Sequence, residues 1–366
     1  MEAEGLRDRV QKSLDDFLAR QTPRLDAISE DLGPMADSIA ALVSGGKRLR
    51  AAFCYWGWRG AGGPDTDQIV RAATSLELLQ ACALVHDDVM DDSDTRRGRP
   101  AAHRQFAALH RGQGWLGSPD AFGAGAAVLL GDLCLSWADE LLFDCGLPGE
   151  ALLAAKPVFD EMRTELMSGQ YLDLLEQAMG GGSIERARRV IRFKSAKYTI
   201  ERPLHLGAAL AGGEEDIRAT YTAFGLPLGE AFQLRDDVLG VFGDPELTGK
   251  PAGDDLREGK RTVLVTTALD RASPADAARL RRHLGDRRLQ VGGVEQARAV
   301  ITDTGALAHV EDLIAALTEQ ALGALGPPPS PAHDPLDRAA DDHCTVSEPA
   351  RSVLRELAVA ATERIG

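Results

Sequence analysis

At 366 residues, with 44% hydrophobic and 27% charged residues, the chain can bury a sizeable core as one large domain or two. A formal net charge of −15 argues against a global nucleic-acid footprint, and an aromatic content of 5% beside abundant Ala, Leu and Arg favours packed helices. No apolar run is expected to span a membrane, and the opening Met-Glu-Ala-Glu-Gly-Leu-Arg-Asp lacks a signal-peptide core, so a cytoplasmic location is expected.

Cys54, Cys82, Cys134, Cys145 and Cys344 are scattered without C-x-x-C pairing, mostly among apolar neighbours, which predicts buried free thiols rather than disulfides or zinc ligands. Lysine is scarce against arginine: only Lys12, Lys47, Lys156, Lys194, Lys197, Lys250 and Lys260 occur. Positions that keep lysine are therefore informative.

An amphipathic helix is predicted over residues 5–28. Near Ser44, Gly45-Gly46-Lys47-Arg48-Leu49-Arg50 opens an apolar segment through Trp58. The glycines allow close backbone approach, and Lys47 and Arg50 share a face, so an anion could sit at this helix start. Taken alone, the same residues read equally well as a turn followed by a solvated basic face.

The next helix starts near Asp67 and runs into the acidic stretch Leu84–Pro100, with Asp87, Asp88, Asp91, Asp92 and Asp94 ahead of Arg96, Arg97 and Arg99. Leu76, Gln80, Ala83, Asp87 and Asp91 form one helical stripe, while Leu78, Leu79, Cys82, Leu84 and Val85 cover the other faces. A helix apolar nearly all round is a buried one, so its acidic end is expected to open into a cavity. Gly98 and Pro100 end it, and a Gly-rich loop is expected over 112–125.

Helical patterns follow over 126–143 and 150–179, the second carrying Gly169-Gln170-Tyr171-Leu172-Asp173. After a glycine turn at 180–182, residues 183–211 form a helix bearing Lys194, Ser195, Lys197 and Tyr198. Residues 214–241 repeat the earlier stripe: Gly225, Gly229, Phe232, Asp236 and Gly240, again reaching an acidic pair, Asp236-Asp237. The polar segment that follows, through Gly249-Lys250 and Gly259-Lys260-Arg261-Thr262, reads as a functional lid loop. Helical patterning resumes to about Leu325, a Pro-rich surface loop covers 326–348, and a last helix covers 349–365.

Two helices that each present carboxylates to one cavity, with lysines and arginines around them and apolar stripes deeper on the same faces, suit a diphosphate ester with a hydrophobic tail. Mg2+ typically takes one or two carboxylates plus phosphate oxygens. Such a site would assist departure of diphosphate, and a dry pocket would protect the resulting carbocation.

In these motifs the chain resembles the trans-isoprenyl diphosphate synthases, the polyprenyl synthetase family. The resemblance runs from about Gly45 to Thr262 through Gly45-Gly46-Lys47-Arg48-x-Arg50, Asp87-Asp88-x-x-Asp91 with Arg96-Arg97-Gly98-x-Pro100, Gly169-Gln170-x-x-Asp173, Lys194-Ser195, and Phe232-Gln233-x-x-Asp236-Asp237 with the downstream Lys250 and Lys260. It implies an all-α fold, a single large helical domain around a central cavity, usually homodimeric. The implied reaction is head-to-tail condensation of isopentenyl diphosphate with an allylic diphosphate, with three Mg2+ per active site. Asp87 and Asp91 would ligate two ions and Asp236 a third, with Asp88 and Asp237 in support. Arg96, Lys194, Lys250 and Lys260 would contact the allylic diphosphate. Ser195 and Gln233 would steady the allylic cation, and Lys47, Arg50, Gln80 and Arg97 would hold isopentenyl diphosphate.

The chain departs from the family pattern in carrying Gly240 for the third aspartate of the second acidic motif, Gln80 for the usual histidine, and Ser195 for the usual threonine. Ala83 and Cys82, one turn deeper than Asp87 and Asp88, are small where farnesyl-type members carry bulky aromatics. A product beyond fifteen carbons, geranylgeranyl diphosphate, is therefore expected. A class I terpene cyclase would carry an Asn/Ser/Glu metal triad where this chain has Asp236-Asp237. A non-catalytic regulatory subunit would lose aspartates from one motif.

Overall fold

The 24-residue helix that carries the acidic stretch has its apolar residues on every side, and the fold surrounds it accordingly. A computed structural model describes residues 2–180, 183–244, 253–326 and 345–363. In chain order the helices are α1 (Glu2–Asp26), α2 (Gly33–Val43), α3 (Leu49–Gly60), α4 (Asp67–Met90), α5 (Ala102–Gln113), α6 (Pro119–Phe143), α7 (Gly149–Met179), α8 (Ile184–Val190), a π-helical segment (Ile191–Glu201), α9 (Arg202–Leu210) and α10 (Glu215–Phe242). After these come α11 (Asp254–Glu258), α12 (Val263–Arg271), α13 (Pro274–His283), α14 (Val291–Asp303), α15 (Ala306–Ala324) and α16 (Ala350–Thr362). Among the described residues the only strands are a two-residue hairpin, β1 (Thr95–Arg96) against β2 (Arg99–Pro100), so the all-α expectation is met.

The large core gathers around α4, which packs along α6, while α3 lies on α9 and α10 lies on the π segment and α15. A second cluster, built from Leu234, Val238, Leu256, Leu264 and Ile301 among others, supports the far end of α10. The helix-long close approach of α10 and the π segment depends on glycine. A Cβ on Gly229 would stand 2.6 Å from the Cα and carbonyl oxygen of Ala196, and one on Gly169 of α7 would stand 2.3 Å from the backbone nitrogen of Lys194. The segment bearing Lys194 and Ser195 is thus seated between two helices that have no side chain at the contact.

Several boundaries differ from the sequence reading. The Gly-rich loop expected over 112–125 shrinks to a short connection, because Gly114 ends α5 in the left-handed region (φ 64°) and Ser118-Pro119 starts α6. The Ser118 hydroxyl accepts from the Ala121 N–H at 3.3 Å and Pro119 takes the first turn, a start signal that outweighs the glycines around it. The single helix expected over 183–211 changes hydrogen-bond register at Ile191 to the π form and returns at Arg202. Of the expected lid, residues 253–262 are described and include α11, while Gly249 and Lys250 lie outside the described residues, as does most of the Pro-rich segment.

Two helices, α4 and α6, are long and apolar enough to cross a membrane by length and composition, contrary to the expectation of no such run. Buried residues make up 72% of the apolar window of α4, which is what a core helix requires, against 39% for α6. Cys54, Cys82, Cys134 and Cys145 are free and buried, as the sequence suggests.

Replacing Gly229 by Ala should force the π segment away from α10, at a cost of about 2 kcal/mol or more. The cost would be read as a lower denaturant midpoint with unchanged slope; an unaltered midpoint would mean that the contact relaxes freely.

Candidate active site

A cavity of about 310 Å3 opens between α4, α7, the π segment and α10. Gln80, Ala83, Leu84 and Asp87 reach it from α4, Gln170 and Asp173 from α7, Lys194, Ser195, Tyr198 and Thr199 from the π segment, and Phe232, Gln233, Asp236 and Asp237 from α10. Arg96, Asp255, Lys260, Arg261 and Thr262 complete the rim. Asp87 of the first acidic motif and Asp236 and Asp237 of the second, far apart in sequence, therefore share one cavity, while Asp91 is buried behind it.

Asp87 is the electrostatic centre. Its Oδ1 accepts from Lys194 Nζ at 2.9 Å and from Gln170 Nε2 at 3.0 Å, and Arg96 Nη2 lies 3.3 Å from its Oδ2. Burial by itself would raise this carboxyl's pKa, but Lys194, Lys260 and Arg96 outweigh it and hold the group well below the ordinary carboxylate range. Lys194 also donates to Asp173 Oδ2 at 2.6 Å, and these two aspartates keep it charged despite burial. The Gly169-Gln170-x-x-Asp173 motif thus brings two side chains onto one ion pair.

Asp91 behaves differently. Its side chain is 1% exposed, neither carboxylate oxygen has a hydrogen-bond partner, and Lys260 Nζ stands 3.5 Å away. Burial, only partly offset by Lys260 and reinforced by the charge of Asp87, pushes its carboxyl up to about 6. A buried carboxylate without donors is suited to a cation, because leaving it charged and unmatched is costly. Among the described residues no three His, Cys, Asp or Glu side chains already converge as a protein-only metal cage. On the facing wall Asp236 is exposed to the cavity. Asp237 is buried, accepts from Gln233 Nε2 at 2.8 Å, and is driven well above the usual carboxylate pKa by burial and by neighbouring Asp255. The donor set on both walls fits hard divalent cations.

The remaining predicted residues fall into place unevenly. Asp88 lies beneath the cavity and is paired with Arg96, whose Nε donates to Asp88 Oδ1 at 2.9 Å. Arg50 lines the cavity, stacks over the Tyr198 ring at 4.4 Å and donates to Thr199 Oγ1 at 2.9 Å. The Tyr198 hydroxyl donates to Gln80 Oε1 at 2.9 Å, so Arg50 and Gln80 meet through one ring. Arg97 sits on a neighbouring hollow of about 200 Å3, donates to the Leu42 carbonyl at 3.2 Å, and lies 3.5 Å from where a Cβ on Gly46 would be. Exposed Lys47 is on that same glycine loop. Ser195 and Gln233 face the cavity, Lys260 is enclosed by Asp91, Asp255 and Glu258, and Lys250 lies outside the described residues. Cys82 is in the core behind the wall, its Sγ 3.7 Å from His86 Nδ1, whereas Ala83 is on the wall itself.

Tyr198 and Thr199 received no role from the sequence. In a π segment bonded i to i+5, Lys194 and Thr199 stand one turn apart, a spacing that a 3.6-residue reading misses. Arg48 is likewise structural rather than ligand-facing. Its buried guanidinium pairs with Glu77 at 2.9 Å and ties the glycine loop to α4. Asp92 and Asp94 pair with Arg104 of α5 at 2.8 and 2.9 Å, outside the cavity.

Opposed acidic walls with interleaved lysines, closing on a pocket that also carries Ala83, Leu166 and Phe232, define an enzyme acting on an apolar diphosphate. Residues 34–301 match the polyprenyl synthetase family model, and the chain belongs to that family. It is similar to a geranylfarnesyl diphosphate synthase of Aeropyrum pernix, with 31% identity over 75% of this chain and 81% of that protein. A (2E,6E)-farnesyl diphosphate synthase of Mycobacterium tuberculosis is 35% identical over 60% of this chain and 56% of its own length. Among solved structures, a geranylgeranyl pyrophosphate synthase from Corynebacterium glutamicum, complexed with isoprenyl diphosphate and magnesium, superimposes over the whole of both chains with TM-score 0.92 and 39% identity. The protein is a prenyltransferase that condenses isopentenyl diphosphate head-to-tail with an allylic diphosphate.

Exchanging Lys194 for Met should strand the Asp87 charge and cost about 3 kcal/mol at neutral pH. Because the folded-state pKa of Asp87 is lowered, the stability it contributes is complete above the ordinary carboxylate value of 3.8 and is lost as pH falls towards the lowered one. The gap between the two proteins in urea denaturation should therefore close in acid. A gap independent of pH would assign the effect to packing.

Proposed function

We propose that this synthase extends its product past fifteen carbons, to geranylgeranyl diphosphate, and the observation that carries this is Ala83 on the cavity wall one helical turn below Asp87. A methyl group there leaves the growing tail room along α4, where a large aromatic would close the path. The names of relatives supply the competing lengths: farnesyl, geranylgeranyl and geranylfarnesyl diphosphate synthases all resemble this chain.

In this reading Asp87 and Asp91 would hold two Mg2+ ions and Asp236 a third, with Asp88 and Asp237 in support. When bound, the metal supplies Lewis-acid stabilisation of the departing diphosphate. Lys194, Lys260 and Arg96, which pair with these carboxylates, would contact the allylic diphosphate. Lys250 joins them by motif position. Ser195 and Gln233 would direct oxygens at the allylic cation, and the Tyr198 ring holds Arg50 at that end of the cavity. Arg50 and Gln80, with Lys47 and Arg97 across the glycine loop, hold the isopentenyl diphosphate so that its double bond faces the cation. The released proton passes to the departing diphosphate, the strongest base the reaction itself provides.

The protein works as a homodimer through α6. That helix exposes Val128 at 43% and Leu129 at 62%, a pair of apolar side chains that a second copy would cover. A cytoplasmic location is consistent with its buried free thiols.

Incubation with isopentenyl and farnesyl diphosphates and Mg2+ should yield a twenty-carbon product by mass; unextended farnesyl diphosphate would refute the length assignment. Ala83→Phe should shift the product to fifteen carbons or fewer, and an unchanged product would remove Ala83 from the tunnel. Leu129→Glu should halve the mass seen in light scattering, whereas an unshifted dimer would place the interface elsewhere.

A further inference from the structure

The first acidic helix ends against the grain of its own chemistry. Asp87, Asp88, Asp91, Asp92 and Asp94 crowd the C-terminal end of α4, where the helix dipole already presents partial negative charge. The end is closed by two backbone bonds, Ser93 N–H to the Asp88 carbonyl at 2.9 Å and Asp92 N–H to the Val89 carbonyl at 3.4 Å. Such a closure turns on a left-handed residue that is usually glycine. Here it is Asp92, with φ 54°, a conformation that a residue with a Cβ adopts only at a cost. Contacts from outside the helix must hold it there.

Arg287 makes them. Its Nη2 donates to the Asp91 carbonyl at 2.5 Å and its Nη1 to the Asp92 carbonyl at 2.8 Å, with Asp92 Oδ2 3.4 Å from the same Nη1. The fork therefore caps carbonyls that the end of a helix leaves without an intrahelical donor. Arg287 comes from the turn between α13 and α14, and that turn is seated on α11. The Gly285 N–H donates to the Leu256 carbonyl at 2.8 Å, and Arg257 Nε donates to the Leu289 carbonyl at 3.1 Å. A second tie runs alongside, from Ser93 Oγ to Glu258 Oε1 at 3.1 Å. The end of α4 is thus strapped to the segment that carries Lys260.

We propose that Arg287 is a positioning residue for the first acidic motif. By holding the Asp91 and Asp92 carbonyls it fixes how α4 ends, and with that the reach of the Asp91 carboxylate towards a cation shared with Asp87. Asp91 is buried behind the cavity and neither of its oxygens has a hydrogen-bond partner, so the backbone that carries it decides where it points. Arg287 itself touches neither cation nor substrate. This inference rests on the diphosphate-synthase reading of the site.

The test is Mn2+ binding to the full-length protein with inorganic pyrophosphate present, read by electron paramagnetic resonance of the free ion, with circular dichroism as a check on folding. Arg287→Ala should weaken one class of pyrophosphate-dependent Mn2+ sites about tenfold, the scale of outer-shell effects on metal affinity. The Asp91 and Ser93 amides should exchange with deuterium several-fold faster, while amides of α6 keep their parent rates. Adding Asp92→Gly, which makes the left-handed turn without outside help, should recover most of the lost affinity. Arg287→Lys, which keeps the charge but not the fork, should lose part of it. Parent-like Mn2+ binding in Arg287→Ala or in Arg287→Lys would overturn the proposal. So would a folded double variant that recovers nothing, which would detach the effect from the helix end. Absence of pyrophosphate-dependent Mn2+ binding in the parent protein would instead overturn the diphosphate reading itself, and this inference with it.

Discussion

The buried ion pair between Asp87 and Lys194 is the contact on which the rest of the site depends. A carboxylate at the end of an apolar helix is tolerable only if a cation meets it in the same low-dielectric space. Lys194 meets it at 2.9 Å because the π segment lies close against both α7 and α10, where Gly169 and Gly229 present bare backbone. Asp173, Gln170, Arg96 and Lys260 then arrange themselves around that pair. In the reading proposed above, such a cavity suits a ligand of opposed charges, with metal ions for the aspartates and phosphates for the lysines and arginines.

What keeps the π segment in register is a second tier of charges outside the cavity. Glu165 of α7 accepts from Lys197 and from Arg202, the latter at 2.6 Å, and buried Glu230 of α10 accepts from Arg188 and Arg192 at 2.9 and 2.8 Å. These pairs flank the segment at both ends and on both neighbouring helices. Lys197, which the sequence places in a basic cluster with Lys194, belongs to this outer tier and has no part in the cavity. Two lysines three residues apart on one element thus make different contacts because the wider π turn sends them to different sides.

The pattern of residues reached a long way. The stripe Leu76, Gln80, Ala83, Asp87 predicted a buried helix with its acidic end in a cavity, and the retained lysines marked Lys194 and Lys260. It misjudged the 112–125 stretch, where Ser118-Pro119 capping overrode the glycines, and it paired Cys82 with Ala83 although Ala83 lines the cavity and Cys82 turns into the core. At Gly240 the sequence was silent on packing. Local sequence shows that a side chain is missing, and only the packing of α11 against α10 shows what fills the space.

By itself the sequence determined the helical class, the two acidic motifs, the family to which they point and most of the charged side chains that line the cavity. Those follow from local periodicity and residue type, which are written residue by residue along the chain. Tertiary structure alone decided which charges pair before a ligand arrives, that Arg50 and Gln80 share Tyr198, and that Asp255 stands in the place of a side chain at 240. Those are distances between elements remote in sequence. They are set by how glycine-faced helices pack and by one change of helical register, neither of which is encoded in the spacing of any single motif.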